Sequence, residues 1–390
     1  MIDPSRVRGL VAEVLPIVVE LRRAIHRQPE LAYQEFQTTS RLADLLRDRG
    51  LAPRLRTPKT GLITEVGGGA KSVGFRADID ALPIQEPSDL PFASEVAGAM
   101  HACGHDAHAA IAAGIAIVLH QLGSDLSGRV RIIFQPAEET FPGGAWELVR
   151  EGAVEGLAGI IAFHADPSIA AGRVGLRTGP LTASTDRFFI TLEGPGGHTA
   201  RPHKTVDLIF AAGKVIAELP GLLDRLTDSR RPLVVVFGKV GGGSAENVIP
   251  TVVELSGTAR ALDREIFDEV PSLLERLVQD IAAPTGAKVT FHYQRGVPPV
   301  VNHEAVIAAI AAGISEMMGD DVIVEAPTSM GAEDFSRYAE EVPGALLRLG
   351  CRQGQKNVDL HSANFEIDET ALEVGVNAGV AALLSMLERL

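Results

Sequence analysis

Three histidines and a cysteine fall within the eight residues His101-Ala-Cys103-Gly-His105-Asp-Ala-His108. Imidazole nitrogen and thiolate sulfur are the donors a divalent transition metal prefers. His101, Cys103 and His105 alternate, and in an extended segment a period of two sets all three on one face. From Gly104 onward the sequence is Ala-rich and apolar, which predicts a buried helix over 104–122 that begins where the donors stop. Carboxylates follow further along: Asp78 and Asp80, then the adjacent pair Glu138-Glu139. In an extended backbone neighbouring side chains point apart, so one glutamate can bind metal while the other faces substrate. A carboxylate beside a divalent ion is what a hydrolase needs as general base, because such an ion lowers the pKa of water toward neutrality. Taken alone, His164 and His361 read as satisfied core residues.

Elements must carry these groups. Apolar spacing predicts helices over 5–27 and 30–50, the second stopped by Gly50. Strands are predicted over 72–77 running into Asp78 and Asp80, over 129–134 ending before Glu138-Glu139, and over 159–163 with His164 directly after. Helical sequence at 104–122 and 144–153 separates them. This alternation indicates an α/β sheet with parallel strands, in which ligands bind beyond the carboxyl ends of the strands. Asp78, Glu138, Glu139 and His164 are therefore expected in one crevice.

The pattern changes near Thr182. Strands at 184–192, 232–240, 247–260 and 288–294, with helices at 207–219 and 265–283, give a compact α+β order consistent with a ferredoxin-like sandwich. Pro298-Pro299 marks the return. The expected organisation is a discontinuous catalytic metal-binding domain, 1–182 and 299–390, with an inserted domain at 183–298. At 390 residues the chain exceeds one ordinary core. Hydrophobic content is 46% with moderate charge, and no tract is expected to span a bilayer. A net charge of −14 argues against a nucleic-acid surface. The start lacks a secretory pattern, and two cysteines, one in the donor cluster, make no disulfide framework. Together these point to a reducing cytoplasm.

A set of phrases carries a resemblance: Arg23-Ala-Ile-His-Arg-Gln-Pro-Glu-Leu31, Phe75-Arg-Ala-Asp-Ile-Asp-Ala-Leu-Pro83, the 101–108 cluster, and Phe134-Gln-Pro-Ala-Glu-Glu139. Gly196-Gly-His-Thr-Ala200, Asn247-Val-Ile-Pro250, Gly257-Thr-Ala-Arg260, Gly331-Ala-Glu-Asp-Phe335 and Leu360-His-Ser362 extend it. The chain resembles the metal-dependent amidohydrolases that include hippurate hydrolase, auxin-conjugate hydrolases and N-acetyldiaminopimelate deacetylase, within the wider aminoacylase and metallo-carboxypeptidase family. The resemblance implies a zinc-exopeptidase-like mixed, mostly parallel sheet flanked by helices, with an inserted lid that is also the dimerisation surface. It implies Cys103, His105, Glu139, His164 and His361 as ligands of a two-metal centre, Glu138 as general base, and Asp80 as a carboxylate orienting a ligand. His198, Asn247 and Arg260 match residues that contact substrate, His198 sometimes from across the dimer. The implied cofactors are two divalent ions, with zinc, manganese, cobalt and nickel all open. The implied substrate is a small N-acyl amino acid or dipeptide, and the implied assembly a homodimer or homotetramer. Thr199, Arg201 and Pro195 depart from the family's common wording; they bear on the acyl pocket and leave the metal chemistry intact.

Physical reading and resemblance meet here. Amide hydrolysis needs a polarised carbonyl, an activated water and a stabilised oxyanion. His198 could donate to the oxyanion, and Arg260 could clamp a substrate carboxylate with Asn247 as a further donor. A dipeptidase or carboxypeptidase using the same site is the alternative, with Glu333 as the group to receive an ammonium. A Cys103 nucleophile with His105 as base leaves Glu138, Glu139, His164 and His361 without a role. A binding-only relative has no use for Glu138. Gly241-Gly-Gly-Ser244 lacks the lysine and helix of a phosphate loop, and no nucleophile-elbow serine is present.

Overall fold

The computed structural model describes residues 2–87, 90–354 and 358–390. Two units emerge from the packing: Met1–Leu181 with Val301–Pro327 and Asp334–Leu390, and Thr182–Val300 with Thr328–Glu333. Each has its own hydrophobic core, and the two cores share no residue.

The first unit is α/β. Its eight-stranded sheet runs, edge to edge, Arg54–Leu55, Leu62–Gly67, Arg129–Gln135, Ser72–Asp78, Ile160–Ala170, Gly344–Arg352, Val174–Leu176 and Ile323–Glu325. The central neighbours are parallel, with antiparallel pairs at Leu62–Gly67 and where Gly344–Arg352 meets Val174–Leu176. Ser72–Asp78 is buried along its whole length, Arg76 and Asp78 included, as a central strand covered on both faces must be. The helix Pro4–Arg27 starts at an Asp3 cap, whose carboxylate accepts the Ser5 amide at 2.9 Å, with Pro4 at the first turn. It packs with His105–Leu122 and Thr370–Arg389. Gly375 and Gly379 bring the last two together: an added Cβ would lie 2.5 Å from Ile111 and 2.3 Å from Ile115. The helix that opens at His105 is thereby locked in place.

Three expectations for this unit are corrected. Helical structure begins at Phe36, not residue 30, because Glu30 turns back and its carboxylate accepts the Gln37 and Thr38 amides at 3.0 and 2.8 Å. The strand expected to end before His164 runs on to Ala170, since His164 pairs in register with Arg348. Among the described residues two helices, His105–Asp125 and Thr370–Arg389, are long and apolar enough to cross a membrane. Most of each is buried, which is how core helices meet the same criterion.

The second unit is a four-stranded antiparallel sheet in the order Leu233–Gly242, Val252–Ala261, Thr185–Glu193, Lys288–Val297. With helices Leu208–Leu226 and Arg264–Ala282 in sequence between them, this is the β-α-β-β-α-β order with the first and third strands central. The helix expected to stop at Leu219 passes through Pro220 and buries Leu223. The strand expected over 247–260 is broken at Pro250 into Val248–Ile249 and Val252–Ala261.

Candidate metal centre

Every side chain of the donor set is delivered by a different local device. Cys103 lies in a turn rather than an extended segment, and His105 is the first residue of its helix, so the alternating-face expectation does not hold. Between them Gly104 adopts φ 84°, a conformation an L side chain resists. The turn achieves what the strand was expected to do: sulfur and ring still converge. His164 comes from the middle of its strand. His361 sits at φ 62° with its amide bonded to Ala102 O at 2.8 Å, which ties this late segment to the 101–108 cluster.

Donor atoms of Cys103, His105 and His164 lie within 4.8 Å of one another, as do those of Cys103, Glu139 and His361, and those of His105, Glu138 and Glu139. The Glu138-Glu139 stretch is a bend, and both carboxylates reach the His105 ring instead of pointing apart. Cys103 Sγ is 3.6 Å from His164 Nε2, and His361 Nε2 is 3.0 Å from Glu139 Oε1.

Hydrogen bonds fix which ring nitrogen faces inward. His105 Nδ1 donates to the Asp80 backbone oxygen at 2.9 Å, and His164 Nδ1 donates to Ala165 O at 2.8 Å. Each bond places a proton on Nδ1 and leaves Nε2 as the nitrogen able to ligate a metal. His105 Nε2 is buried with no hydrogen-bond partner. Asp80, expected to orient a ligand with its carboxylate, holds the His105 ring through its backbone oxygen, with Oδ1 3.3 Å from the same nitrogen, and its Oδ2 accepts the Glu139 amide at 3.0 Å.

The electrostatics agree. Burial pushes the Cys103 thiol up to about 12, so without a neighbouring cation it stays protonated. Burial and the Arg348 guanidinium hold His164 well below its ordinary value. Burial also opposes charge on His105, but the Asp78 carboxylate outweighs it and raises that ring well above its usual range. Surroundings negative enough to draw a proton there draw a metal cation equally well. The buried His105 Nε2, without a hydrogen-bond partner and set beside a thiol and carboxylates, is costly unless a cation satisfies it. The residues fit a pair of divalent ions.

The sequence profile of peptidase family M20/M25/M40 matches residues 74–385. The chain belongs to that family. An N-acetyl-L-cysteine deacetylase of Bacillus subtilis is 38% identical to it, over 91% of this chain and 84% of that one. An N-acyl-L-amino acid amidohydrolase of Geobacillus stearothermophilus is 39% identical, over 77% of this chain and 82% of its own length. The crystal structure of a dinuclear metal-binding M20 peptidase from Bacillus subtilis matches with a TM-score of 0.86 at 35% identity, covering 97% of this chain and 100% of that one.

Behind the donors of this M20/M25/M40 chain lie residues whose partners the sequence did not reveal. Asp78 Oδ1 accepts from His108 Nδ1 at 2.6 Å, and His108 Nε2 accepts the Ala165 amide at 2.9 Å, pinning the backbone beside His164. The three-residue spacing of His105 and His108 on one helix was the available clue. Burial alone would raise the Asp78 carboxyl, but His105, His108 and Arg76 hold it well below the usual carboxylate range. Arg76 reaches Asp78 Oδ2 at 2.6 Å, Gln135 Oε1 at 2.8 Å and Asp334 Oδ1 at 2.8 Å, all buried. His101, counted in the cluster by sequence, makes no hydrogen bond through either ring nitrogen and belongs to none of the donor groups among the described residues.

In the second unit, His198 is exposed and its segment pairs with Val248, next to Asn247. His198 Nδ1 accepts the Ala200 amide at 3.0 Å, so the ring proton sits on Nε2, available as a donor. Arg260 Nη1 donates to Met330 O at 2.9 Å.

Proposed function

We propose that this protein is a two-metal amidohydrolase that splits N-acyl amino acids into a carboxylic acid and a free amino acid. The observation that carries this reading is the convergence of Cys103, His105, Glu139, His164 and His361 around one cluster that also contains Glu138. The relatives named for deacetylating N-acetylcysteine and for hydrolysing N-acyl amino acids support the substrate class.

The five ligands would hold two divalent ions, zinc, manganese, cobalt or nickel, which supply carbonyl polarisation and lower the pKa of water. Glu138 takes the proton of the attacking water and delivers it to the amine nitrogen as the C–N bond breaks. Asp80 keeps His105 turned and Glu139 in place, so Glu138 alone of the adjacent pair moves a proton. We assign His198, through its Nε2 proton, to the oxyanion, and Arg260 with Asn247 to the substrate carboxylate. Binding a carboxylate would favour acyl amino acids over simple amides.

The second unit is read as the lid, within 183–298, and as the surface of a homodimer or homotetramer. Its Leu233–Gly242 strand is a sheet edge with Val234, Val236 and Val240 exposed, which suits pairing with a second copy. Cys103 and Cys351 are free and buried, which suits the cytoplasm.

The test is a panel of acetyl, benzoyl, long-chain and indole-acyl amino acids beside dipeptides, run on metal-reconstituted protein. Acyl amino acids are expected to lead; preferential cleavage of dipeptides would favour the peptidase alternative. Glu138→Gln is expected to lower kcat by about 10²- to 10⁴-fold at unchanged metal content. Turnover surviving that change would mean the base is misassigned. Arg260→Ala is expected to act chiefly on KM, and an unaltered KM removes the clamp.

A further inference from the structure

Three non-glycine residues among those described have positive φ: Tyr33, Ala137 and His361. Ala137, at φ 56°, is completely buried and directly precedes Glu138. A buried L residue keeps this conformation only where its surroundings over-determine it, and such outliers concentrate where geometry matters to function. Both backbone polar groups of Ala137 are tied. Its carbonyl accepts the Gly144 amide at 2.9 Å. Its amide donates to Glu35 Oε1 at 2.8 Å, a contact across 102 positions of chain.

Glu35 itself is wholly buried, at the start of the Phe36–Asp48 helix. Its second oxygen accepts from the Thr60 hydroxyl at 2.7 Å, and its backbone oxygen accepts from Thr39, whose Oγ1 receives the Gly61 amide at 2.9 Å. Burial pushes this carboxyl up to about 7, so the group is kept here against its own solvation. No apolar core asks for a carboxylate at this place; the Ala137 amide does.

Two carboxylates therefore grip the Glu138-Glu139 bend from opposite ends. Asp80 Oδ2 takes the amide of Glu139, and Glu35 Oε1 takes the amide just before Glu138. We propose that Glu35 is a positioning residue for the base: through the Ala137 amide it fixes the left-handed turn from which Glu138 projects, while Asp80 separately secures the metal ligand Glu139. This rests on Glu138 being the general base.

The test compares Glu35→Leu, Glu35→Gln and Ala137→Gly in the metal-reconstituted full chain, reading kcat and KM on an N-acetyl amino acid, metal per chain, thermal midpoint and hydrogen exchange at the Ala137 amide. Leucine offers no acceptor, so the amide loses protection and kcat falls about 10- to 100-fold, with KM and metal content unchanged. Glutamine retains an oxygen for Ala137 and an N–H for Thr60, and restores kcat to within about threefold. Glycine frees the turn without disturbing Glu35, giving a kcat lower by roughly threefold or more at an equal or higher thermal midpoint. A folded, metal-replete leucine variant with full kcat overturns the proposal, and so does one whose loss tracks metal content. Should the leucine variant fail to fold, an unchanged kcat in Ala137→Gly overturns it instead. Glu138→Gln run alongside separates the two readings: if it still turns over, the base assignment fails first; if it is dead while Glu35→Leu is fully active, only the role of Glu35 falls.

Discussion

The two units bury different things. Within the α/β unit the interior holds Arg22, Arg76, Asp78, Asp80, His105, Asp106 and His108, linked by short hydrogen bonds and ion pairs. Arg22 meets Asp106 at 2.8 Å; His26 bridges Asp106 at 2.8 Å and Glu86 at 3.0 Å. The α+β unit has a core of Phe188, Ile190, Leu192, Leu219, Leu255, Leu274 and similar residues. Its buried polar side chains, among the described residues, are Thr182, Ser184, Asp186 and Glu333. Charge is buried where donors must be aimed, and every buried charge then needs a partner. The first unit should thus respond to metal, pH and loss of a single polar group, the second to apolar volume.

Metal removal gives the sharpest contrast. Chelation should abolish turnover, restored by added zinc, manganese, cobalt or nickel, and lower the midpoint of one calorimetric transition only. At a free ion concentration a thousand times Kd the stabilisation lost is about 4 kcal/mol. A uniform shift of all unfolding would break the comparison. His108→Leu strips Asp78 of one of its two partners at 2.6 Å and should destabilise by about 3–5 kcal/mol, read by denaturant titration, with no counterpart in the second unit. Leu274→Ala, fully buried in the second core, should cost about 3 kcal/mol and leave metal content and chelator sensitivity untouched.

A smaller effect is set by pH. Burial disfavours a charged His26, yet hydrogen bonds and charge from Asp106 and Glu86 raise its pKa from 6.5 to about 9. A folded value above the unfolded one means stability present in full below pH 6.5 and lost as pH climbs through about 9, on the order of 3 kcal/mol at most. Thermal midpoints across that window should fall for the wild type and flatten in His26→Leu; a slope that survives the substitution assigns the loss elsewhere. Least of all, Val236→Lys on the exposed edge strand should alter folding stability by under about 0.5 kcal/mol. Its effect should appear in sedimentation as a smaller assembly, and an unchanged assembly would remove that edge from the interface.

What could be read from the sequence follows the reach of each interaction. Cys103, His105 and the glutamate pair announced themselves because donor types cluster within a few positions. His164 and His361 needed the resemblance, since a histidine beside an apolar run has no distinguishing local pattern. Its strand was expected to end too early because pairing with Gly344–Arg352, which carries it on to Ala170, is a long-range event. The same holds for Glu35 with Ala137 and for Asp78 with His108: each bond joins separate elements, and no periodicity encodes it. Beyond the expected stop at Leu219 the helix runs on through Pro220, where burial of Leu223 outweighs a local helix-breaking residue.

Chain order has a consequence for biosynthesis. The strand Gly344–Arg352 lies between Ile160–Ala170 and Val174–Leu176, yet it leaves the ribosome only after the whole second unit. A nascent chain can finish the antiparallel sandwich early, from contacts close in sequence, while the strand bearing His164 waits with one open side. His361 arrives later still, so, with His361 as a ligand as proposed, the full metal set would be completed among the last acts of maturation, and a truncated product would carry an incomplete coordination set.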